Sequence, residues 1–409
     1  MAVIKPFRAL RPVPAAAPAV SSVPYDVVST DEARALAQGN PLSFLHVTRS
    51  EIDRPPSTDP YSDEVYEQAR LNLESLRERA PLVVDDVPRL YVYRLRMGGH
   101  EQIGVAGCFS IDDYERDLIR KHERTRRDKE DDRTRHIVAL RAQTGVVFLT
   151  YRAVPAIDAL VRRAAEGEPL YDFAAPDGVH HTVWSTGLAT TDEIVRAFTA
   201  VRALYIADGH HRAASAARAR REVEARLGGP ADEADAGTFI AVAFADDQVQ
   251  VLPYNRIVRD LGGRSAGELL AALRAGVPVA EGPPSPARKG HVSMYLAGRW
   301  YTIDLSAAGP EDESPANRLD VALLQQHVLA PGLGIGDIRT DRRIDFVGGA
   351  RGVAALEQAV DSGAAAVAFS MFPVSVDDLI AVSDAGGIMP PKSTWFEPKL
   401  RDGLLIHLI

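Results

Sequence analysis

A single cysteine, Cys108, stands among 409 residues, so no disulfide can close within the chain and no cysteine-based zinc site can be assembled from it. It lies in GVAGCFS, a small and apolar run of buried-strand type, which argues against a reactive thiol. No apolar stretch approaches the ~20 residues that would span a bilayer. The N-terminal MAVIKPFRALRPVPAAAPAV is interrupted by Pro12, Pro14 and Pro18 and holds no continuous apolar core of signal-peptide type. A soluble, cytoplasmic protein is therefore expected, with no membrane partner. Basic residues do not dominate either: 47 Lys and Arg stand against 56 Asp and Glu, a formal net charge of −9 that disfavours a broad nucleic-acid footprint. Neither a Walker A sequence nor GxGxxG occurs, so a P-loop or dinucleotide fold has no support.

What remains is an ordinary globular composition, 46% hydrophobic and 25% charged, in a chain long enough for two or three domains. Strand and helix signals follow one another irregularly, which predicts an α+β (mixed α/β) fold and not a regular doubly wound sheet. Three regions are expected: an N-terminal α+β region over 1–150, a second over 151–264, and a C-terminal α+β region over 265–409. Ser29 or Thr30 can cap a helix from Asp31 to Gln38 that Gly39 ends. PLSFLHVTRSEI reads as a strand, and a helix is expected near Asp63 to Arg79. LYVYRLRM and QIGVAGCFSI alternate as strands, split by Gly98, Gly99 and His100 as in a hairpin. Asp112 to Gln143 reads as one or two helices. Within Glu115 to Arg135 nine Lys and Arg mix with seven Asp and Glu, the pattern of a solvated, salt-bridge-laced helix. TFIAVAFADD with QVQVLPYNRIV, and HVSMYLAG with RWYTIDLS, read as strand pairs, and Asp320 to Leu329 as a helix.

The chemistry concentrates in IADGHHRAA, Ile206 to Ala214. ALYIA is long enough for a buried strand and AASAARARREVEARL has strong helix propensity up to Gly228 and Gly229, so Asp-Gly-His-His-Arg occupies a strand-to-helix junction. A helix start presents unpaired N–H groups and the positive end of the macrodipole, which suits an anion. Gly209 lets backbone approach a ligand closely, and His210, His211 and Arg212 add donors that suit phosphate oxygens. Asp208 is then either a helix cap or a catalytic base and magnesium partner beside the phosphate. Zinc is disfavoured, because adjacent histidines on a helix point about 100° apart.

DGHHR followed by small helical residues resembles the phosphate-binding motif of ParB/sulfiredoxin-like proteins, and specifically that of archaeal-type free serine kinases. IKPFRALRP, PYDVVS, NPLSFLHVTRSEI, DDYERDLIRKHERT, IADGHHR and MPPKSTWFEPK, spread end to end, resemble a bacterial family known only as a domain of unknown function. The kinase resemblance implies a ParB/sulfiredoxin-like phosphate-binding core and transfer of a phosphoryl group from ATP, ADP or another donor, with Mg2+, to the hydroxyl of free L-serine or a related small molecule. Gly209, His210, His211 and Arg212 would hold the donor phosphates, and Asp208 would stand near the acceptor or the metal. Those kinases also use an upstream glutamate as base; Glu51 in HVTRSEI is the first choice here and Glu123 in KHERT the second. They are much shorter, so over half of this chain has no counterpart. A nucleotide-binding switch and a nucleotide phosphohydrolase are the alternatives.

Further clusters offer a substrate or phosphate clamp. KHERT and the basic run behind it supply Lys121, His122, Arg126 and Arg133, and PYD supplies Asp26, for which a structural Asx-turn is an equal reading. PPKSTWFEPK supplies Lys392, Ser393 and Lys399 between prolines, or alternatively a tail packed by Trp395 and Phe396. His180 and His181 alternate along a strand and so face opposite ways.

Overall fold

A computed structural model describes residues 2–227 and 236–409, and Gly228 and Gly229 lie outside the described residues. The protein is mixed α+β and divides into two compact units, Met1–Val249 with Pro398–Ile409, and Gln250–Glu397. The expected division into three regions gives way to these two for a topological reason. The sheet of the first unit takes neighbouring strands from both sides of residue 150, so a boundary there would cut through its hydrogen-bonded ladder.

That sheet is built from β1 (Ile4–Lys5), β2 (Tyr91–Met97), β3 (His100–Ser110), β4 (Ile119–Arg120), β5 (Val147–Tyr151), β6 (Tyr171–Ala174), β7 (His180–Ser185), β8 (Leu204–Asp208) and β9 (Thr238–Ala245). Their order is β4-β8-β5-β9-β3-β2-β7-β6, with β1 also on β3. β8 runs parallel to β4 and β9 parallel to β5, and the remaining pairs are antiparallel. Every residue of β9 is buried, as its unbroken apolar sequence requires of a central strand. Cys108 is buried in β3, and β2 and β3 form the expected hairpin across Gly98 and Gly99.

Helices α1 (Thr30–Ala37), α2 (Asp63–Arg79), α3 (Arg127–Leu140), α4 (Pro155–Ala164), α5 (Leu188–Phe198) and α6 (His210–Leu227) accompany the sheet. Ser29 caps α1 in a capping box with Glu32. Val147, Leu149, Ile206, Phe239, Ile157, Ile194, Phe198 and Ala213 share one buried cluster, which joins β5, β8 and β9 to α4, α5 and the start of α6. Each such aliphatic or aromatic side chain contributes about 1.5–3 kcal/mol relative to exposure.

Two expectations are corrected, and a third, one or two helices over Asp112 to Gln143, is met by two with a strand and a loop between them. PLSFLHVTRSEI forms a short helix, Leu45–Thr48, and a 3-10 turn, Ser50–Asp53, in place of a strand. Phe44, Leu45, Val47 and Thr48 are buried at helical spacing, and Phe44 and Val47 pack with Ala69, Leu73 and Leu76 of α2. Between Asp112 and Gln143 the chain makes one turn of helix, breaks at Asp117 (φ 57°), adds β4 to the sheet edge and crosses 121–126 as a loop before α3. TFIAVAFADD and QVQVLPYNRIV do not pair: β9 is already flanked by β3 and β5.

The second unit holds a six-stranded antiparallel sheet in the order Val279–Glu281, Arg299–Asp304, His291–Leu296, Val367–Met371, Tyr254–Val258, Ile344–Gly348. Gln250–Leu252 and Trp395–Glu397, its first and last strands, pair with each other. The expected helix from Asp320 becomes α-helical to Leu324 and a π turn over Gln325–Leu329. Among the described residues no helix is long and apolar enough to cross a membrane.

Pro398–Ile409 closes the first unit. His407–Leu408 pairs with Ala142–Gln143, Leu10 bridges Ile406, Ser22 bridges Asp402, and Ile406 joins the core cluster of Leu10, Phe44 and Leu140. Gly403 makes this return possible: its φ is +88°, and a Cβ there would stand 2.8 Å from Phe44 Cβ. Gly403→Ala is expected to cost about 2 kcal/mol or more, because strain and overpacking add. Urea denaturation would show this as a lower midpoint at unchanged slope.

Candidate active site

β8 carries Leu204 to Ala207 fully buried and delivers Asp208 at its end. Its register against β5 shifts between Ile206 and Asp208, an irregularity of the bulge type that re-aims a side chain. Gly209 follows at φ +99°, where a Cβ would also press on Arg212 Nη1 at 3.3 Å and Val147 Cα at 3.4 Å. α6 then starts at His210, so the motif does lie at a strand-to-helix junction.

Arg212 points inward. Its Nη1 donates to the Val146 carbonyl at 2.8 Å and its Nη2 to both Asp26 oxygens at 2.6 and 2.8 Å, while Nε has no partner among the described residues. The guanidinium lies 5.8 Å from the Tyr25 ring centre, and Arg133 lies 4.2 Å from the same ring. Burial works to lower the Arg212 pKa, but Asp26, Asp208 and Asp402 outweigh it and raise the value.

Both histidines are anchors. His210 Nε2 accepts the His122 backbone N–H at 3.4 Å, and His211 Nε2 accepts the Arg126 backbone N–H at 3.0 Å. Each ring must therefore carry its proton on Nδ1. His210 Nδ1 faces Glu123 Oε2 at 3.7 Å. The His122 ring is buried and packs edge-on against His210 at 4.5 Å. Burial lowers the pKa of all three rings, His122 to about 4. The KHERT loop and DGHHR, 85 residues apart at the Arg126–His211 bond, thus form one structure.

Asp208 Oδ2 accepts from Lys399 Nζ at 3.0 Å. Burial alone would raise its pKa, but Lys399 and Arg212 together hold the carboxyl well below the usual carboxylate range. Asp208 therefore stays ionised. Glu123 is the more accessible carboxylate, 39% exposed at its side chain against 26% for Asp208.

The other candidates sort clearly. Asp26, His122, Glu123 and Lys399 are brought to the junction; Arg126 reaches it only through its main chain, its guanidinium pairing with Asp128 in solvent. Arg133 is spent on Asp132 and the Thr48 carbonyl, and Lys121 on Asp117. Glu51 Oε1 lies 2.8 Å from Arg49 Nε and accepts from Thr30 Oγ1, with no contact to Asp208 or the histidines. Lys392 and Ser393 belong to the second unit.

Sequence reasoning missed the closing residues. Asp402 is buried; its carboxylate accepts backbone N–H groups of Tyr25 and Val146, and its Oδ2 has no hydrogen-bond partner among the described residues. Burial pushes its pKa up to about 7 against the lowering pull of Arg212. Arg401 Nε donates to His181 Nε2 at 3.2 Å, and the Tyr93 hydroxyl lies 2.9 Å from His181 Nδ1. Asp402-Gly403 is a turn signal in the sequence, but nothing local says that the turn is buried.

No group of three or more His, Cys, Asp or Glu among the described residues is placed to hold a metal ion. Mg2+ needs less, one or two carboxylates plus substrate phosphates, and the ionised Asp208 fits that mode.

Fold and site together define a mixed α+β protein in which three carboxylates, a lysine and three histidines converge on one strand-to-helix junction. The chain belongs to the family described as Protein of unknown function (DUF1015), whose profile matches residues 4–322. No curated protein matches it. Among solved structures it is similar to SbnI with C-terminal truncation from Staphylococcus aureus, at 13% identity and TM-score 0.39 over 74% of this chain and 87% of that one. It is also similar to a conserved hypothetical protein from Pyrococcus furiosus, at 13% and 0.37 over 74% and 95%. A free serine kinase in complex with AMP matches at 13% and 0.36 over 74% and 91%.

Because Nε2 of His210 and His211 accepts backbone N–H groups, both rings are expected neutral and Nδ1-protonated at pH 6. Long-range proton–nitrogen correlation spectra report the tautomer directly; an imidazolium or an Nε2–H form would contradict the geometry. The sign for stability follows. The unfolded chain protonates these rings from about pH 6.5 downward, whereas the folded His122 resists until about pH 4, so acidification through that window weakens the site.

Proposed function

We propose that the protein is a phosphotransferase that moves a phosphoryl group from ATP, ADP or another phosphate donor to the hydroxyl of a free small molecule, L-serine before others. The observation that carries this reading is the placement of the accessible carboxylate Glu123 and the Asp208–Lys399 pair at the start of α6. The five-residue resemblance of DGHHR to a ParB/sulfiredoxin-like phosphate-binding core supports it.

In this reading the donor phosphates lie against the first-turn amides of α6, where unpaired N–H groups and the helix dipole favour negative charge. Lys399 sits beside them as a point charge for oxygens that gain charge in the transition state. Asp208 would hold Mg2+, which when bound screens the phosphate charge. Glu123 is the base: the acceptor oxygen forms a bond to phosphorus, its proton passes to Glu123, and the bond to the leaving nucleotide oxygen breaks. His210 Nδ1 faces the Glu123 carboxylate at 3.7 Å. Arg212, with no terminal nitrogen left over, positions the junction and does not touch the donor. Glu123 takes the base role in place of Glu51, whose carboxylate is tied to Arg49 and Thr30.

The test is formation of phosphoserine from L-serine with Mg2+ and ATP or ADP. Glu123→Gln is expected to lower kcat on the order of 100-fold or more, and Asp208→Asn to abolish turnover, while Glu51→Gln stays within about threefold. Donor hydrolysis without a phosphorylated acceptor would make water the acceptor, and donor binding with no turnover would leave a nucleotide-binding switch.

A further inference from the structure

The second unit contains a charge that its own fold does not neutralise. Arg256 sits in the strand Tyr254–Val258, paired on one side with Phe346 and on the other with Phe369. It is 1% exposed and ranks among the largest fully buried side chains of the protein. Arginine is almost never buried to that extent without a carboxylate. Its partners are two neutral dipoles: Nη1 donates to the Tyr254 carbonyl and Nη2 to the Lys392 carbonyl at 3.1 Å. The Phe346 ring lies 5.6 Å from the guanidinium carbon. Burial pushes its pKa down to about 10, with no carboxylate among the influences on it.

Lys392, which caps this guanidinium through its carbonyl, is itself unusual. It holds φ +60°, a left-handed conformation that costs a non-glycine residue about 1 kcal/mol or more. Its side chain is exposed, forms no ion pair among the described residues, and rests its ammonium 5.4 Å from the Tyr254 ring centre. The turn that carries it is short, with Ser393 Oγ donating to the Pro390 carbonyl at 2.5 Å. Two cations with no counter-charge among the described residues thus adjoin, one behind a strained cap and one on it. A methionine or leucine at 256 would fill the same space without the desolvation of a charge, which amounts to several kcal/mol.

We propose that Arg256 and Lys392 form an oxyanion-binding site in the second unit, closed in this structure by the Lys392 carbonyl and opened when the Pro390–Ser393 turn lifts. The ligand chemistry is a carboxylate or phosphate group. It replaces the carbonyl on Nη2, matches the planar fork of the guanidinium, and draws the Lys392 ammonium off the Tyr254 ring. The proposal goes beyond the phosphotransferase reading and does not depend on it.

The experiment is thermal unfolding of the full chain in chloride, inorganic phosphate and acetate at matched ionic strength, for wild type, Arg256→Met and Lys392→Ala. A bound anion raises the midpoint by linkage. Wild type is expected to gain several degrees in one oxyanion over chloride, and which of the two acts identifies the group bound. Arg256→Met should gain less than wild type in that oxyanion, the difference being the share bound at this site and not at the start of α6, while unfolding in chloride no earlier than wild type. Lys392→Ala, exposed and outside the core, should lose part of it and guards against a misfolded core variant. Equal gains in wild type and Arg256→Met, or no gain in either oxyanion, would overturn the site. So would Lys392→Ala behaving as wild type.

Discussion

The first unit is organised around one buried guanidinium. Arg212 ties the loop that carries Asp26, the chain just before β5 at Val146 and the start of α6 into one assembly. The carboxylate of Asp402 binds the neighbouring amides of Tyr25 and Val146, so the same two loops are held from the C-terminal side as well. Removing one member of such a buried network leaves the others uncompensated, which costs more than the pair contributes. The position of Asp208, and with it every distance at the junction, depends on this clamp.

Around the clamp the site is assembled from pieces that are weak alone. The histidines of DGHHR do not reach outward as phosphate donors; they accept main-chain N–H groups and bring the KHERT loop, with Glu123, to the helix start. A neutral imidazole serves here because a protonated one has no acceptor to offer. Lys399 comes from the opposite end of the chain, two residues beyond the second unit, and completes the arrangement with Asp208.

Much of this was legible in the sequence where local rules suffice. Gly98-Gly99 marked the hairpin, the Asp63–Arg79 helix matches its periodicity, and the buried run before Asp208 with the alanine-rich run after Gly209 placed the junction. Local rules failed where tertiary packing decides. PLSFLHVTRSEI has strand composition but buries a helical set of side chains against α2. Which of Glu51 and Glu123 stands at the junction depends on the loop whose N–H groups the histidines accept, and the burial of Asp402 on a tail returning through the whole fold. No spacing rule encodes either.

The topology also orders events in time. Gln250 and Glu397 pair across the base of the second unit, so the ribosome makes that entire unit between β9 and the closing tail. At about 5–20 residues per second, roughly ten seconds or more separate the emergence of Asp208 from that of Lys399 and Asp402. Through that interval every strand of the first unit's main sheet has been made, but neither the lysine for Asp208 nor the carboxylate that braces Tyr25 and Val146 has. A chain broken off before Pro398 therefore lacks both the partner of Asp208 and the brace on Tyr25 and Val146, however many strands of its sheet have been made.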